Sequence, residues 1–384
     1  MRKKLFILSC WVMSAASVLA QGFPKEMTLS PDGRMLLTGS EVNDGLYDAA
    51  QVRTIELTFP QTNYWTLLTQ NYQSKTDLPA TMIVDGVTYD SVGVRFKGQT
   101  SYSQVSGQKK SFNISLDYVN NKQDIDGYQT LNLNNCFQDA SFMREFYYNT
   151  NAKRHNPAAK VAYTWLKING QDWGLYPSIQ QLNKDYLSEW FLSNNGTNWR
   201  ADKPPGSTTG GGGGQWGDGT AALNYLGNDT SLFKVHYTLK SAEKLQPWND
   251  LVTTTSALAN VTASNYQTTL APVLDIDRAL WHLATETAYS DDDSYIHKGK
   301  MDYYTYYEIE TGRMTPLEYD GNSVMKTNAV SWDPFYNGTK VNYPLMYKLY
   351  AIPALRQRYL AHLRTIIAEQ FDVTNANAFI TQYQ

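Results

Sequence analysis

Carboxylate side chains flank a predicted β-hairpin in the last third of the chain. The hairpin consists of the aromatic stretch 303–307, a turn at residues 311–312 and a second strand that ends near residue 317. Its flanking carboxylates, which a hairpin brings towards one another, are Asp293, Asp302, Glu318 and Asp320. Carboxylate oxygens are the ligands of hard cations such as Mg²⁺, and a cation held in this way keeps coordination positions for phosphate oxygens. The pattern therefore suggests phosphoryl transfer.

A glycine-bearing, hydroxyl-rich turn in the first third of the chain is a second candidate site. It connects a predicted strand at residues 92–96 with another at 111–118, and Lys109 and Lys110 precede the second strand. Backbone N–H groups and ammonium groups in such a turn can bind a polyphosphate. An ordinary strand pair with solvated basic residues fits the same spacing.

Composition indicates a globular protein with a substantial core. The chain has 384 residues, of which 42% are hydrophobic and 18% are charged. This length allows one large domain or two. The 28 tyrosines and 10 tryptophans favour sheets, sugar-facing surfaces and extracellular settings.

The first 20 residues have the three parts of a secretory signal peptide. A basic start with Arg2, Lys3 and Lys4 precedes an apolar run, and small residues lead to a cleavage site after Ala20. Removal of this segment lowers the formal net charge from −3 to about −6, which leaves no basic field for nucleic acid. A lipoprotein site at Cys10 is less favoured because the apolar stretch before it is short. We therefore expect a protein that is secreted or held in the periplasm or cell envelope.

The predicted mature chain retains one cysteine and no second long apolar segment. Only Cys136 remains, so no intrachain disulfide is expected, and its context predicts a core residue rather than a nucleophile. No other apolar run approaches the ~20 residues of a membrane helix. The sequence thus predicts a soluble, exported protein without a membrane span.

Alternating and β-rich segments dominate the first third of the chain and predict an antiparallel sheet. They are residues 53–59, 80–89, 92–96, 111–118 and 130–134. The Asp-Gly pair at 85–86 and the Asn-Gly pair at 169–170 are typical of hairpin turns. Between them, a helix is predicted to begin at the N-cap Ser141 and to reach Lys153. We expect this helix to pack on the sheet.

Helices dominate the rest of the chain. They are predicted at residues 184–191, 248–258, 276–287 and 343–371, the last with a break at Pro353. Residues 203–220, which contain five consecutive glycines, are predicted to form a flexible insertion rather than a P-loop, because no Gly-Lys-Ser/Thr follows them. The order of elements, sheet first and helices second, predicts an α+β fold.

Taken together, the chain resembles the spore coat protein H (CotH) kinase family from about residue 53 to residue 371. The resemblance depends on the order of short motifs at residues 93–98 (GVRFKG), 110–112 (KSF), 141–145 (SFMRE), 169–176 (NGQDWGLY), 237–240 (YTLK), 293–294 (DS), 303–306 (YYTY) and 318–320 (EYD). It implies an atypical protein-kinase-like bilobal fold, with an antiparallel sheet lobe followed by a mainly helical lobe. It also implies that ATP and Mg²⁺ or Mn²⁺ are used to phosphorylate Ser/Thr hydroxyls of a protein. Spore formation itself is not implied.

The resemblance assigns the phosphate-binding residues to the first half. Lys110 would hold the nucleotide phosphates, and Glu145 on the following helix would orient Lys110, as in the usual lysine and glutamate pair of kinases. The cofactor-binding residues near the phosphate turn would be Arg95, Lys97, Gly98 and Ser101, together with Lys110. Arg95 and Lys97 also fit ordinary exposed charges.

The resemblance assigns the acidic residues to the second half. Asp293 would orient the attacking hydroxyl, although three adjacent aspartates at 291–293 leave the register open. Asp320 would bind the metal that bridges the β- and γ-phosphates, with Asp302 and Glu318 as further metal ligands. These roles make the hairpin the catalytic centre.

Three positions depart from the pattern of the family. Asp302 stands where the family usually has asparagine, Glu318 replaces an aspartate, and Gln180 replaces a glutamate. Asp302 and Glu318 can still bind a cation, but the changes put catalytic competence in question. The alternative function is therefore a pseudokinase that acts as a binding scaffold in the cell envelope or a coat.

Other kinds of chemistry find less support in the sequence. The five histidines show no close pairing of the kind that binds zinc. Glycoside hydrolysis by Asp293 and Glu318 stays open, since two carboxylates and an aromatic surface suit a sugar.

The resulting domain prediction has four parts. These are a signal peptide at 1–20, an N-terminal arm at 21–51, a kinase-like domain at 52–372 and a C-terminal tail at 373–384. The domain comprises an N-lobe at about 52–182, the glycine-rich insertion at 203–220 and a C-lobe at about 221–372. The expected partners are a nucleotide and a protein with Ser/Thr-rich segments.

Overall fold

The structure is a computed structural model that describes residues 26–29, 36–39, 45–201, 221–297, 300–329 and 331–384. The predicted signal peptide, most of the predicted arm and the glycine-rich insertion lie outside the described residues. No helix in these ranges is long and apolar enough to cross a membrane.

The described residues combine α-helices with sheets in which every strand pair but one is antiparallel, which confirms the predicted α+β class. The strands in the described ranges are β1 (Glu26–Leu29), β2 (Leu36–Gly39), β3 (Arg53–Thr58), β4 (Leu78–Val84), β5 (Val87–Lys97), β6 (Ser111–Ser115), β7 (Thr130–Leu133), β8 (Val161–Ile168), β9 (Gln171–Gln180), β10 (Thr197–Ala201), β11 (Tyr237–Ser241), β12 (Tyr304–Glu308) and β13 (Arg313–Leu317). The α-helices there are α1 (Tyr64–Asn71), α2 (Thr100–Ser103), α3 (Arg144–Ala152), α4 (Lys184–Trp190), α5 (Thr230–Phe233), α6 (Trp248–Asn260), α7 (Tyr266–Thr269), α8 (Ile276–Tyr289), α9 (Pro344–Tyr350), α10 (Pro353–Gln370) and α11 (Val373–Tyr383).

The strands of the first half close into a seven-stranded barrel in the order β3-β4-β5-β6-β7-β9-β8. All neighbours are antiparallel except β8, which runs parallel to β3 and closes the barrel. The prediction of an antiparallel sheet was therefore incomplete, because alternation identifies strands but not the pairing of the first with the last. Inward side chains such as Ile55, Met82, Val94 and Phe112 are fully buried and fill the interior.

Two tight hairpin turns lie where the sequence predicts them. Asp85 and Gly86 join β4 to β5 with φ values of 49° and 83°, and Asn169 and Gly170 join β8 to β9 with φ values of 48° and 77°. Positive φ at both turn positions matches the right-handed twist of the strands, and Asp-Gly and Asn-Gly pairs tolerate it.

Helix α3 begins three residues later than the predicted N-cap. Ser141 does not cap it; instead, the N–H of Arg144 donates to Asp139 Oδ2 at 2.9 Å. Ser141 Oγ accepts from the N–H of Met143 at 3.2 Å, so it shapes the preceding turn. The side chain of Asp139 organises both positions, since Ser141 Oγ also donates to its Oδ1 at 2.5 Å.

The second half combines a four-stranded sheet, β11-β10-β12-β13, with the longer helices. Helix α8 packs against α10 over the largest apolar core, and α10 begins at Pro353, the predicted break. The predicted acidic hairpin is β12 and β13, with Gly312 at φ 70° in its turn.

Helix α3 lies where the barrel meets the second half. Its residue Tyr148 packs edge to face on Tyr289 of α8, with ring centroids 5.0 Å apart. Gly321, just after the acidic hairpin, approaches the same ring so closely that a Cβ there would lie 2.1 Å from Tyr148 Cδ1. The helix is thereby in contact with the segment that carries the hairpin carboxylates.

Candidate functional site

A lysine on the barrel and a glutamate on helix α3 are joined by an asparagine. Lys97, the last residue of β5, donates from Nζ to Asn134 Oδ1 at 3.0 Å, and Asn134 Nδ2 donates to Glu145 Oε1 at 2.7 Å. Burial lowers the pKa of Lys97, while the carboxylates of Asp320 and Glu145 oppose that shift. Burial raises the pKa of Glu145, against the effects of the Asn134 hydrogen bond and Lys97. Lys97 therefore lies close enough to both Glu145 and Asp320 to be affected by their charges.

Lys110 does not occupy this place. Its Nζ donates to the carbonyl oxygens of Tyr102 and Val105, at 2.7 and 2.8 Å, and so fastens the turn between β5 and β6. The structure brings Lys97 rather than Lys110 to Glu145, in contrast to the predicted pairing. Both lysines flank the same turn, and the motif alone does not show which one points towards helix α3.

The predicted phosphate turn begins directly after Lys97. Gly98 has φ 86°, a conformation that strains any residue with a Cβ, and a Cβ there would lie 2.1 Å from Ser101 Oγ, which would have to move. Ser101 lies in the short helix α2, and its carbonyl oxygen accepts from Asn135 Nδ2 at 3.2 Å. Arg95 forms an ion pair with Asp77, with a 2.7 Å contact, which engages the end of its side chain.

Asp320 lies near the predicted ligand Asp302 and near Glu145 of helix α3. Its pKa is raised to about 7, chiefly by burial and also by the carboxylates of Glu145 and Asp302, while Lys97 and Arg200 act in the opposite direction. Asp302 accepts from Arg200 Nη2 at 2.8 Å. Asp320 and Asp302 have φ values of 56° and 55°, in the left-handed region that most non-glycine residues avoid and that aspartate adopts more readily than most.

The three aspartates after helix α8 point in different directions. Asp291 is fully buried, and its pKa is raised well above the usual range by burial and by Glu286, Asp293 and Asp320. Asp292 accepts from Lys326 Nζ at 3.0 Å. Asp293 is the most exposed of the three, and its N–H donates to Asp291 Oδ1 at 3.1 Å. Asp291 therefore lies near both Asp293 and Asp320, whereas Asp292 forms an ion pair with Lys326.

The groups around Asp320 are carboxylates, the ligand type that divalent cations prefer, although among the described residues only His282, Glu286 and Glu318 lie close enough together to hold an ion. Asp291 Oδ2 is buried and has no hydrogen-bond partner among the described residues. The raised pKa values of Asp291 and Asp320 have carboxylate repulsion as one cause, which a cation would offset. Oxygen ligands of this kind suit Mg²⁺ or Mn²⁺.

Glu318 does not join this group of carboxylates. It is 1% exposed, and it accepts from Tyr148 Oη at 2.6 Å and from Asn156 Nδ2 at 2.8 Å. Its Oε1 also lies 3.0 Å from His282 Nδ1. With both oxygens engaged in this way, Glu318 is placed as part of a buried network rather than as a ligand beside Asp320.

His282, Glu286 and Glu318 are close enough to hold a metal ion, but their contacts favour a proton. Atoms of the three lie within 4.8 Å of one another, and all three residues are buried. His282 Nε2 is 3.1 Å from Glu286 Oε1, an ion-pair distance without hydrogen-bond geometry, whereas Nδ1 is hydrogen-bonded to Glu318. Although burial opposes it, the two carboxylates raise the pKa of His282 to about 9. Burial raises the pKa of Glu286 to about 7.

Sequence analysis missed the partners that orient the predicted residues. Asn134, Arg200 and His282 carry no motif, and the histidine was considered only as a zinc ligand. The four-residue spacing of His282 and Glu286 on one helix face was the available signal for the buried pair.

Gln180, the third position that departs from the family pattern, is 2% exposed, and its side-chain oxygen accepts from the N–H of Lys160 at 3.0 Å.

Comparison with known proteins identifies one family. A family model described as CotH kinase protein matches residues 94–384, which is more than half of the chain and includes Lys97, Glu145, Asp293 and Asp320. No curated protein matches the chain.

Proposed function

The chain belongs to the CotH kinase family, and we propose that it transfers the γ-phosphate of ATP to Ser/Thr hydroxyls of a protein with the help of a divalent metal. The observation that carries this proposal is the Lys97–Asn134–Glu145 bridge facing the carboxylates around Asp320. Phosphoryl transfer requires two parts: a positively charged side chain that binds phosphate, and carboxylates that bind the metal ion.

Lys97 is the proposed phosphate lysine. Among the described residues its ammonium makes one hydrogen bond, to Asn134, and an ammonium has three donors. The remaining donors are available to phosphate oxygens. Glu145 acts on Lys97 through Asn134, which fixes the direction of the ammonium group. Lys110 holds the turn of Gly98 and Ser101 in shape by binding two of its carbonyl groups.

Asp320 is the proposed main metal ligand, with Asp302 and Asp291 nearby. A bound Mg²⁺ or Mn²⁺ would neutralise the charge that develops on the transferred phosphoryl group. Asp293, the most exposed aspartate of its triplet, is proposed to accept a hydrogen bond from the acceptor hydroxyl and to orient it. Arg200 holds Asp302 by an ion pair and lies 5.1 Å from the Tyr319 ring, so it limits the net negative charge of the group.

A kinase-like bilobal arrangement is part of the same proposal. The barrel carries Lys97, the second half carries Asp293 and Asp320, and helix α3 contacts both. ATP would bind between them, in the order that kinases use. Export by the predicted signal peptide at 1–20 is likewise a proposal. It requires that phosphorylation takes place before or during export, or where ATP is supplied.

A non-catalytic scaffold is the second candidate, and one observation favours it. The ion pair with Arg200 already engages Asp302, one of the proposed metal ligands. A protein that used this fold only to bind a partner would not need Asp302 to be available to a metal ion.

Transfer of labelled phosphate distinguishes the two candidates. The chain from residue 21 is incubated with γ-labelled ATP, Mg²⁺ or Mn²⁺ and a Ser/Thr-rich peptide, beside Asp320→Asn, which removes one charge with little change of shape. We expect label on Ser or Thr in the wild type and a loss of at least about 100-fold in the variant. Equal labelling in both proteins contradicts the proposed role of Asp320. Absence of label from both, with no thermal shift on adding ATP and metal, favours the scaffold.

A further inference from the structure

A buried histidine lies behind the proposed site and contacts two carboxylates. His282 of helix α8 has no exposed surface. Its Nδ1 is 3.0 Å from Glu318 Oε1, and its Nε2 is 3.1 Å from Glu286 Oε1. We refer to these three residues with Tyr148 as the His282 relay. Its two arms lead to different parts of the site.

The first arm connects the proposed metal ligand with helix α3. Glu318 stands two residues before Asp320, and its Oε2 accepts from Tyr148 Oη at 2.6 Å. Tyr148 stands three residues after Glu145, one turn along the same helix. The arm therefore ties the segment of Asp320 to the helix that orients Lys97.

The second arm connects the histidine with the loop of Asp293. Glu286 Oε2 accepts from the backbone N–H of Ile296 at 3.2 Å, and the carbonyl oxygen of Glu286 accepts from the N–H of Asp291 at 3.0 Å. Both ends of the loop 291–296 are thus fastened to one residue. Asp293 lies between the two attachments.

We propose that His282 is a positioning residue that couples the segments of Glu145, Asp320 and Asp293 through the His282 relay. Each of these three residues lies two or three positions from a residue that the relay holds directly. The relay is buried, so water cannot replace a lost contact, and breaking one contact leaves polar or charged partners unpaired. A displacement at one end is therefore transmitted to the other. The contacts alone support the coupling of these segments. The statement that the coupling positions residues of a kinase site rests on the proposed function.

Hydrogen exchange on the chain without metal or nucleotide tests the coupling. Tyr148→Phe removes one hydroxyl from the relay. The matched control, Tyr163→Phe, removes a partly buried hydroxyl that donates to the carbonyl oxygen of Phe142 at 2.8 Å. The Tyr163 ring is stacked on Phe146 of helix α3. We expect Tyr148→Phe to accelerate exchange of the amides at 291–296 by on the order of tenfold, and Tyr163→Phe to leave them unchanged.

Two results overturn the proposal. One is faster exchange in helix α3 alone, with residues 291–296 unaffected in Tyr148→Phe. The other is an equal effect of both tyrosine variants on that loop. If Tyr148→Phe does not fold, Glu286→Gln perturbs the relay from the other end, and acceleration at the amides of α3 is then the expected result. Unchanged exchange in α3 overturns the coupling in that experiment.

Binding of Mn²⁺ with the non-hydrolysable analogue AMP-PNP, followed by electron paramagnetic resonance, separates this inference from the proposed function. We expect Tyr148→Phe to weaken Mn²⁺ binding on the order of tenfold and Tyr163→Phe to leave it unchanged. If the wild type binds no Mn²⁺ with AMP-PNP but the exchange result holds, the proposed function fails and the coupling stands. If the wild type binds and both variants bind equally well, the relay does not position Asp320.

Discussion

The sharpest prediction is that Lys97, and not Lys110, is the lysine that binds the phosphates of ATP. Lys97→Met removes the ammonium group that faces Asp320 and Glu145, whereas Lys110→Met removes one that binds the carbonyl oxygens of Tyr102 and Val105. Both changes delete one positive charge and keep a long side chain. They differ in what the ammonium group contacts, so they form a matched pair.

The two variants are expected to lose different properties: Lys97→Met loses activity, and Lys110→Met loses stability. Loss of a preorganised charge at the transferring phosphate costs about 3 to 4 kcal/mol of transition-state stabilisation, so Lys97→Met should lower kcat/KM for ATP by about 100- to 1,000-fold. Lys110→Met loses two hydrogen bonds at a partly exposed site, which corresponds to about 1 to 2 kcal/mol of folding free energy. The melting temperature of Lys110→Met should be a few degrees lower than that of the wild type, and the variant should retain most of its activity.

Phosphate transfer measured well below both melting temperatures checks this prediction, with thermal unfolding recorded on the same samples. Loss of activity in Lys110→Met at an unchanged melting temperature, together with an active Lys97→Met, would refute the assignment of Lys97. The original pairing of Lys110 with Glu145 would then have to form through a rearrangement of the turn.

Two further predictions concern the charge of Asp320 and the turn after Lys97. Because the pKa of Asp320 is raised to about 7 in the metal-free chain, the folded state binds its proton more tightly than the unfolded state, and this contribution to stability is lost as pH rises towards 7. Asp320→Asn should therefore raise the melting temperature of the metal-free chain at pH 8 but not at pH 4, as checked by calorimetry; the same change at both pH values would argue against a titrating Asp320. Gly98→Ala should destabilise the chain by about 1 to 3 kcal/mol and weaken ATP binding, since φ is 86° and the new Cβ would clash with Ser101 Oγ. Denaturant unfolding measures the free energy of unfolding, and titration with ATP measures the affinity. A wild-type value for either quantity in Gly98→Ala would show that the turn accommodates the added Cβ.

Local sequence patterns predicted most of the elements. The two hairpin turns at 85–86 and 169–170, the acidic hairpin and the break at Pro353 depend on residues adjacent in sequence, and the structure has each of them. Closure of the barrel depends on β8 lying parallel to β3, more than 100 residues earlier. No local pattern encodes that pairing.

The candidate site was predictable in its residue types and less so in their partners. The spacing of Asp302 and Asp320 around a hairpin indicated convergence, because hairpin geometry determines which ends meet. The choice between Lys97 and Lys110 depends on which side chain faces helix α3, and the position of Glu318 depends on a histidine 36 residues earlier in sequence. Both are tertiary contacts, which the spacing of residues does not specify.

Calorimetric titration of ATP into the chain from residue 21, with Mg²⁺ and again with excess EDTA, tests the central claim most directly. The claim is that Lys97 and the carboxylates around Asp320 together form a metal-dependent nucleotide site. We predict binding with Mg²⁺ that is abolished by EDTA and strongly weakened in Lys97→Met and Asp320→Asn, while Lys110→Met binds nearly as the wild type does. Absence of binding under all conditions, or binding of equal strength with EDTA and in both site variants, would contradict the account.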